Sequence, residues 1–90
     1  MGNAKVYVRV MSVTETDGRV IPKALYWEDG LKYKIDKVTE VKSAASTKAG
    51  GCGERYTIWV NGRETYLYFE RIATVSGSNT GRWFVERRGA

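Results

Sequence analysis

Few groups in this chain can do covalent or acid–base chemistry, and the absent residue types narrow the choice first. There is no histidine, so the commonest general base, metal ligand and near-neutral pH switch are all missing. The single cysteine, Cys52, excludes an internal disulfide and a zinc site of nitrogen and sulfur ligands within one chain. Lys48 and Arg55 lie near Cys52 in sequence and would favour its thiolate. With no base to activate it, an incidental thiol is the expectation. The surrounding Gly50-Gly51-Cys52-Gly53 invites a test for phosphate binding. A dinucleotide fingerprint needs a third glycine opening a helix, whereas Tyr56 stands at that place and leads into a strand. No Gly-Lys-Ser/Thr loop is present. What remains is a candidate anion loop of backbone amides around Gly50, Gly51 and Gly53 with Lys48 and Arg55. A plain connection is the competing and favoured reading. The carboxylates of Glu28, Asp29, Asp36, Glu64, Glu70 and Glu86 are scattered and expected to be solvated. No catalytic constellation, metal site or cofactor is therefore expected, and the chain reads as a non-enzyme.

The pattern with most chemical content is a candidate binding face of Arg55, Trp59, Tyr66 and Tyr68, which alternation puts on one side of two paired strands. Aromatic rings interleaved with cations suit single-stranded nucleic acid, with bases stacked on the rings and phosphates held by the charges. Lys32 and Lys34 would extend that face if the third strand lies beside it. The competing reading is structural: Tyr and Trp also favour sheet surfaces through cross-strand pairing, and a loop or the last strand would then cover them. The net charge of +5 permits a polyanionic partner but also serves solubility. Along the chain the lysines and arginines are spread rather than clustered.

The elements that must position these residues are strands. Period-two alternation interrupted by glycine-containing turns predicts about six of them. The first covers residues 5–14, with Val6, Val8 and Val10 on one side and Tyr7, Arg9 and Met11 on the other. Asp17-Gly18, taken as a two-residue turn, places Val10 opposite Leu25 and Val8 opposite Trp27. The second strand covers residues 20–27, and Pro22, lacking an amide donor, marks an edge or a bulge in it. A three-residue loop with Gly30 left-handed pairs Trp27 with Leu31 and Leu25 with Tyr33, keeping one apolar face. The third strand covers residues 31–41. A Gly/Ala/Ser-rich connection follows over 42–54, read as a loop with room for one helical turn at 43–48. Residues 55–60 and 63–70 form the clearest hairpin, around Asn61-Gly62. It pairs Val60 with Arg63, Ile58 with Thr65 and Tyr56 with Leu67. Residues 82–86 make a short last strand, and a basic tail at 87–90 is expected to fray.

At 90 residues the chain is one small β domain, spanning 1–90, and six short twisted strands with one apolar face close into a small SH3-like barrel or roll. No apolar run approaches the ~20 residues of a membrane span. The N-terminus lacks the apolar core of a signal peptide, and Val6 occupies the place where a myristoylation motif wants Ser or Thr. A cytoplasmic protein is the expectation.

Several strings occur together in order. They are Trp27-Glu28-Asp29-Gly30 with Tyr33 and Ile35-Asp36, and Lys48-Ala49-Gly50-Gly51 with Gly53 and Arg55-Tyr56-Thr57. Tyr66-Leu67-Tyr68-Phe69-Glu70 and Arg82-Trp83-Phe84-Val85-Glu86 complete the set. Over most of its length the chain thereby resembles a family of short uncharacterised bacterial proteins, mainly from Firmicutes. That resemblance implies no activity, ligand or site residue. Three functional classes then compete. A protein-interaction or accessory module stands first, acting through a sheet edge or the aromatic face on a partner protein. A nucleic-acid-binding module stands second, and an enzyme a distant third.

Overall fold

The computed structural model describes residues 3–43, 53–73 and 79–88. They form seven antiparallel strands: β1 (Asn3–Thr14), β2 (Val20–Tyr26), β3 (Lys32–Lys34), β4 (Lys37–Ser43), β5 (Gly53–Val60), β6 (Arg63–Ala73) and β7 (Asn79–Arg88). They lie in one sheet in the order β3-β2-β1-β7-β6-β5-β4. Among the described residues there is no helix, so none long and apolar enough to cross a membrane. β3 and β4 follow one another in the chain yet stand at opposite edges of the sheet. Only Ile35 and Asp36 separate them. The Ile35 N–H donates to Lys23 O at 2.9 Å, and the Asp36 N–H donates to Trp59 O at 2.8 Å. One short link is thus bonded to β2 on one side and to β5 on the other. That requirement curls the sheet into a half-barrel. It also corrects the single third strand expected over 31–41. A strand serving two edges must bend, and it breaks at Ile35, whose side chain is buried in the core.

The core lies on the concave side. Leu25, Ile35, Tyr56, Ile58, Leu67, Trp83 and Val85 form it, with Val6, Val8, Val10, Trp27, Tyr33 and Phe69 packed against them. Ile58 and Leu67 are fully buried, and burial of side chains that size contributes ~1.5–3 kcal/mol each. The Trp83 ring meets Tyr56 at 5.2 Å and Phe69 at 4.7 Å between centroids. Gly81 leaves the space in which the Phe69 ring sits, because a Cβ there would overlap the ring. Leu31, expected on this apolar face, is 57% exposed, since it sits in the turn beyond the end of the ladder.

Turn chemistry explains the registers. Asn61 (φ 52°) and Gly62 (φ 76°) are both left-handed, as a type I′ hairpin requires, and the pairs Val60–Arg63, Ile58–Thr65 and Tyr56–Leu67 follow. Gly30 (φ 81°) closes the three-residue loop in which the Trp27 N–H donates to Leu31 O at 3.0 Å, and Leu25 faces Tyr33. The first hairpin differs from expectation. The Glu15 N–H donates to Arg19 O and the Gly18 N–H to Glu15 O, so the loop is the three residues Thr16, Asp17 and Gly18. Val10 still faces Leu25, because a bulge between Pro22 and Ala24 adds one residue back. The ladder ends at Arg9–Tyr26, so Val8 and Trp27 do not form a pair in it. Pro22, with no N–H to offer, stands at that bulge.

Five strands, β1, β4, β5, β6 and β7, extend beyond the bounds that alternation indicated. Lys42 and Ser43 belong to β4, and Gly53 and Glu54 to β5. The helical turn suggested from Ser43 onward and the rest of that connection, residues 44–52, lie outside the described residues. β7 runs to Arg88, with Arg87 opposite Ala4 and Arg88 opposite Asn3, so the backbone of these two arginines is paired rather than frayed. β1 begins early enough to supply that partner.

Candidate functional site

Strand alternation sends the core residues inward and a second set outward, and cross-strand register assembles the outward set into rows. One row runs Tyr7–Phe84–Tyr68–Arg55–Lys42 across five strands. Beside it stand Lys5 opposite Glu86 and Glu40–Thr57–Tyr66. Further along, Trp59 lies between Lys37 and Glu64, and Arg82 faces Glu70. At the other flank the rows are Arg9–Tyr26–Lys32 and Met11–Ala24–Lys34. Among the residues whose side chains are described, the outer face therefore carries eight cations, four carboxylates and six aromatic rings. Subtracting gives four net positive charges on that face among these residues.

The rings and cations are interleaved vertically as well. Tyr68 stacks on Phe84 with centroids 4.9 Å apart and planes 4° from parallel, and Tyr7 meets Phe84 edge-on at 5.7 Å. The Arg55 guanidinium sits 4.5 Å from the centre of Tyr66, Arg82 4.2 Å from Tyr7, Lys37 5.0 Å from Trp59 and Arg9 5.5 Å from Tyr26. Such contacts contribute ~0.5–1 kcal/mol at exposed sites. Phe84 is buried under its neighbours, while Tyr7 and Tyr66 keep 44% and 43% of their surface in solvent. Burial and a hydrogen bond to Glu86 push the Tyr68 hydroxyl pKa up to about 12. Arg55 Nε and Trp59 Nε1 are buried with no hydrogen-bond partner among the described residues.

Arg55, Trp59, Tyr66 and Tyr68 are thus brought together on the outer side of β5 and β6. Lys32 and Lys34 share the outer face but not that neighbourhood: β3 pairs with β2, not β5. The lysines that extend the face beside β5 are Lys37 and Lys42 of β4. Of the candidate anion loop, Lys48, Gly50 and Gly51 lie outside the described residues. Gly53 opens β5, buried opposite Glu70, and a Cβ there would overlap the Phe69 carbonyl. Close approach of two strands thus accounts for this glycine, and it stands in the β5–β6 ladder.

Glu70 corrects the expectation of a solvated carboxylate. It is buried on the outer face and accepts hydrogen bonds from Lys5 Nζ (3.1 Å), Tyr7 Oη (3.0 Å) and Arg82 Nη2 (3.0 Å). Burial pushes its pKa up. The hydrogen bonds from Lys5 and Tyr7 and the charges of Lys5 and Arg82 outweigh this, and its pKa falls below the ordinary carboxylate range. The carboxylate pins Lys5 across the Phe84 ring, 4.7 Å from its centre, and Arg82 across Tyr7. Among the described residues no three His, Cys, Asp or Glu side chains gather into a metal-binding group.

A second feature lies where the half-barrel does not close. Among the described residues, β4 has β5 as its one ladder partner, and β2 pairs with β3 from Ala24 onward. Residues 20–23 and the outer edge of β4 flank a groove of about 680 Å³. Tyr56 lies in it and donates its hydroxyl to Val20 O at 2.6 Å, tying β5 to β2. Ile21, Pro22, Val38 and Val41 give it apolar walls. Charged residues of both signs border it, among them Asp17, Asp36 and Glu54 and Arg19, Lys23 and Arg71, with Glu54 and Arg71 paired to each other. Pro22 is the one signal in the sequence that pointed to this edge.

The chain matches no protein-family model, no curated protein and no solved structure.

Proposed function

We propose that this protein is a non-catalytic interaction module that takes up an extended segment of a partner protein between β2 and β4. The observation supporting this reading is the outer edge of β4, which has no ladder partner among the described residues and faces residues 20–23 of β2 across one groove, where the Val20 and Lys23 carbonyls already accept from Tyr56 and Ile35. Free edges offer rows of backbone donors and acceptors, and an added strand satisfies them while its alternate side chains enter flanking pockets. An extended peptide fits that demand because its own backbone needs the same partners. The mixed charge of the walls selects for sequence pattern rather than net charge. Lysines and Glu40 on β4, with Pro22 on β2, oppose indiscriminate pairing of such an edge. The resemblance to short bacterial proteins carries no activity and adds nothing to this reading.

The test is selection of peptides from a random display library, followed by amide NMR titration of the winners. Selected peptides should shift amides of residues 20–23 and 37–43. Val41→Pro, which removes one β4 donor at an exposed position, should weaken them at least about tenfold. Shifts confined to other strands, or affinities untouched by Val41→Pro, would sink the proposal. So would a dimer in sedimentation that protects the β4 amides, which would assign the edge to a second copy of the chain.

A further inference from the structure

We infer that the outer face, separately from the groove, binds single-stranded nucleic acid. The inference begins with the charge. Spread along the chain, the lysines and arginines show no cluster, but alternation and register deliver eight of them to one side of the sheet. Among the residues whose side chains are described, eight cations against four carboxylates then act from one surface, the distribution that attracts a polyanion.

The carboxylates on that face leave part of the charge free. Glu70 is held by Lys5 and Arg82, Glu40 lies 3.7 Å from Lys42 and 3.9 Å from Arg55, Glu86 takes the Tyr68 hydroxyl, and Glu64 stands on the far side of Trp59 from Lys37. Arg9, Lys32, Lys34 and Lys37 have no carboxylate within ion-pair distance among the described residues. Three of these four stand together, in the row Arg9–Tyr26–Lys32 and beside it at Lys34. They form a phosphate-holding edge next to the aromatic rows.

The rings decide between single and double strands. Tyr7 and Tyr66 are partly open to solvent, and each carries a guanidinium over its ring. Ring and guanidinium planes both stack unpaired bases. A duplex hides those base faces and is read by elements inserted in its grooves. The described residues form a curved strand surface with no helix for that purpose. The ligand class this supports is an unpaired DNA or RNA segment lying across the outer face from β3 and β2 over β1, β7 and β6 to β5.

The experiment is fluorescence anisotropy with the whole protein. Labelled oligo-dT and oligo-rU of about 20 nucleotides are compared with a duplex of equal length over a range of salt. Expected is single-strand binding at least about tenfold tighter than duplex binding. Four free cations give a slope of log K against log salt near −3, from about −0.7 per phosphate contact. The double variant Lys32→Glu/Lys34→Glu should keep its melting temperature and lose about tenfold or more in affinity. Tyr66→Ala should lose about tenfold. Val41→Pro should bind oligonucleotide as the parent does, which separates this surface from the groove. The inference is overturned by no binding at low salt, by equal affinity for duplex with Tyr66→Ala unaffected, or by loss of binding in Val41→Pro. A preference between dT and rU would identify which single strand the face takes, with either one upholding it.

Discussion

Replacing Glu70 by Gln keeps the shape of the side chain and removes its charge. Three donors converge on this carboxylate, and their exposures set the size of the effect. The side chain of Arg82 is 53% exposed and returns to water easily, so its ion pair falls in the ~0–1 kcal/mol range of surface pairs. Lys5 is 23% exposed and Glu70 9%, so that bond sits nearer the ~1.5–3 kcal/mol of hydrogen bonds to charged groups. The Tyr7 hydroxyl can still donate to the amide oxygen. Together these give a loss of about 2 kcal/mol at neutral pH. At ~4–8 °C per kcal/mol for a domain of this size, the melting temperature should fall by roughly 10 °C. The pH dependence is a sharper check. The folded-state pKa of Glu70 is lowered, so its contribution is complete above the unfolded value of ~4.3. It disappears as pH falls through the folded value. The gap between parent and Glu70→Gln should therefore be full at neutral pH and narrow below about pH 4. Asp17, whose pKa is lowered mainly by the Arg19 backbone N–H, acts in both proteins and cancels. Urea unfolding across this range measures the gap. A gap absent at neutral pH, or one that persists unchanged in acid, refutes the account of Glu70 as a charged clamp.

Four further substitutions probe other parts of the structure. Gly81→Ala drives a methyl into the Phe69 ring and should cost ~1–3 kcal/mol in urea unfolding, with Gly18→Ala as a contrast in which strain arises from the left-handed φ of 91° without a clash. Tyr56→Phe deletes the hydroxyl bonded to Val20 O and should cost about 1 kcal/mol, with faster hydrogen exchange in residues 20–23; unchanged exchange would show that the bond does not hold the β2 edge. In an ultraviolet tyrosinate titration the Tyr68 hydroxyl should ionise near its raised value of about 12, and Tyr68→Phe should remove that late step. Because the raised pKa belongs to an acid, its stabilising contribution is present below the unfolded value of ~10 and lost as pH rises from there toward the folded value.

Local features of the fold were legible where the deciding residues lie within one turn. Asn61-Gly62 fixes φ at both central positions, so the β5–β6 register can be written from sequence. Gly30 does the same for β2–β3, where Asp29 adds an acceptor for the Leu31 N–H at 2.9 Å. Asp17-Gly18 misled because the same dipeptide serves loops of two or three residues. The choice depends on a bulge at Lys23, several residues away. The turn gained a residue and the strand gained one too, so the expected Val10–Leu25 pair forms through two displacements that cancel. The break at Ile35 and Asp36 had no local signal, since alternation continues through residues 31–41. It arises because the sheet must join its two edges, a demand that exists only once all the other strands are paired.

The outer face shows the same division. Alternation alone assigns Tyr7, Arg9 and Met11 of β1 and Arg55, Trp59, Tyr66 and Tyr68 of β5 and β6 to the side away from the core. It says nothing about whether the two groups meet. They meet because β7 pairs with both β1 and β6, which puts Phe84 between Tyr7 and Tyr68. That pairing joins the ends of the chain, and no turn residue encodes it. Linear spacing was therefore a poor guide to charge clustering: a strand contributes an outward cation every second or fourth residue, and only lateral pairing makes these neighbours. Glu70 was misread for the same reason. In sequence it is one acid between Phe69 and Arg71. In the sheet it is, among the described residues, the carboxylate reached by Lys5 and Tyr7 of β1 and by Arg82 of β7, and its burial follows from what those three place over it.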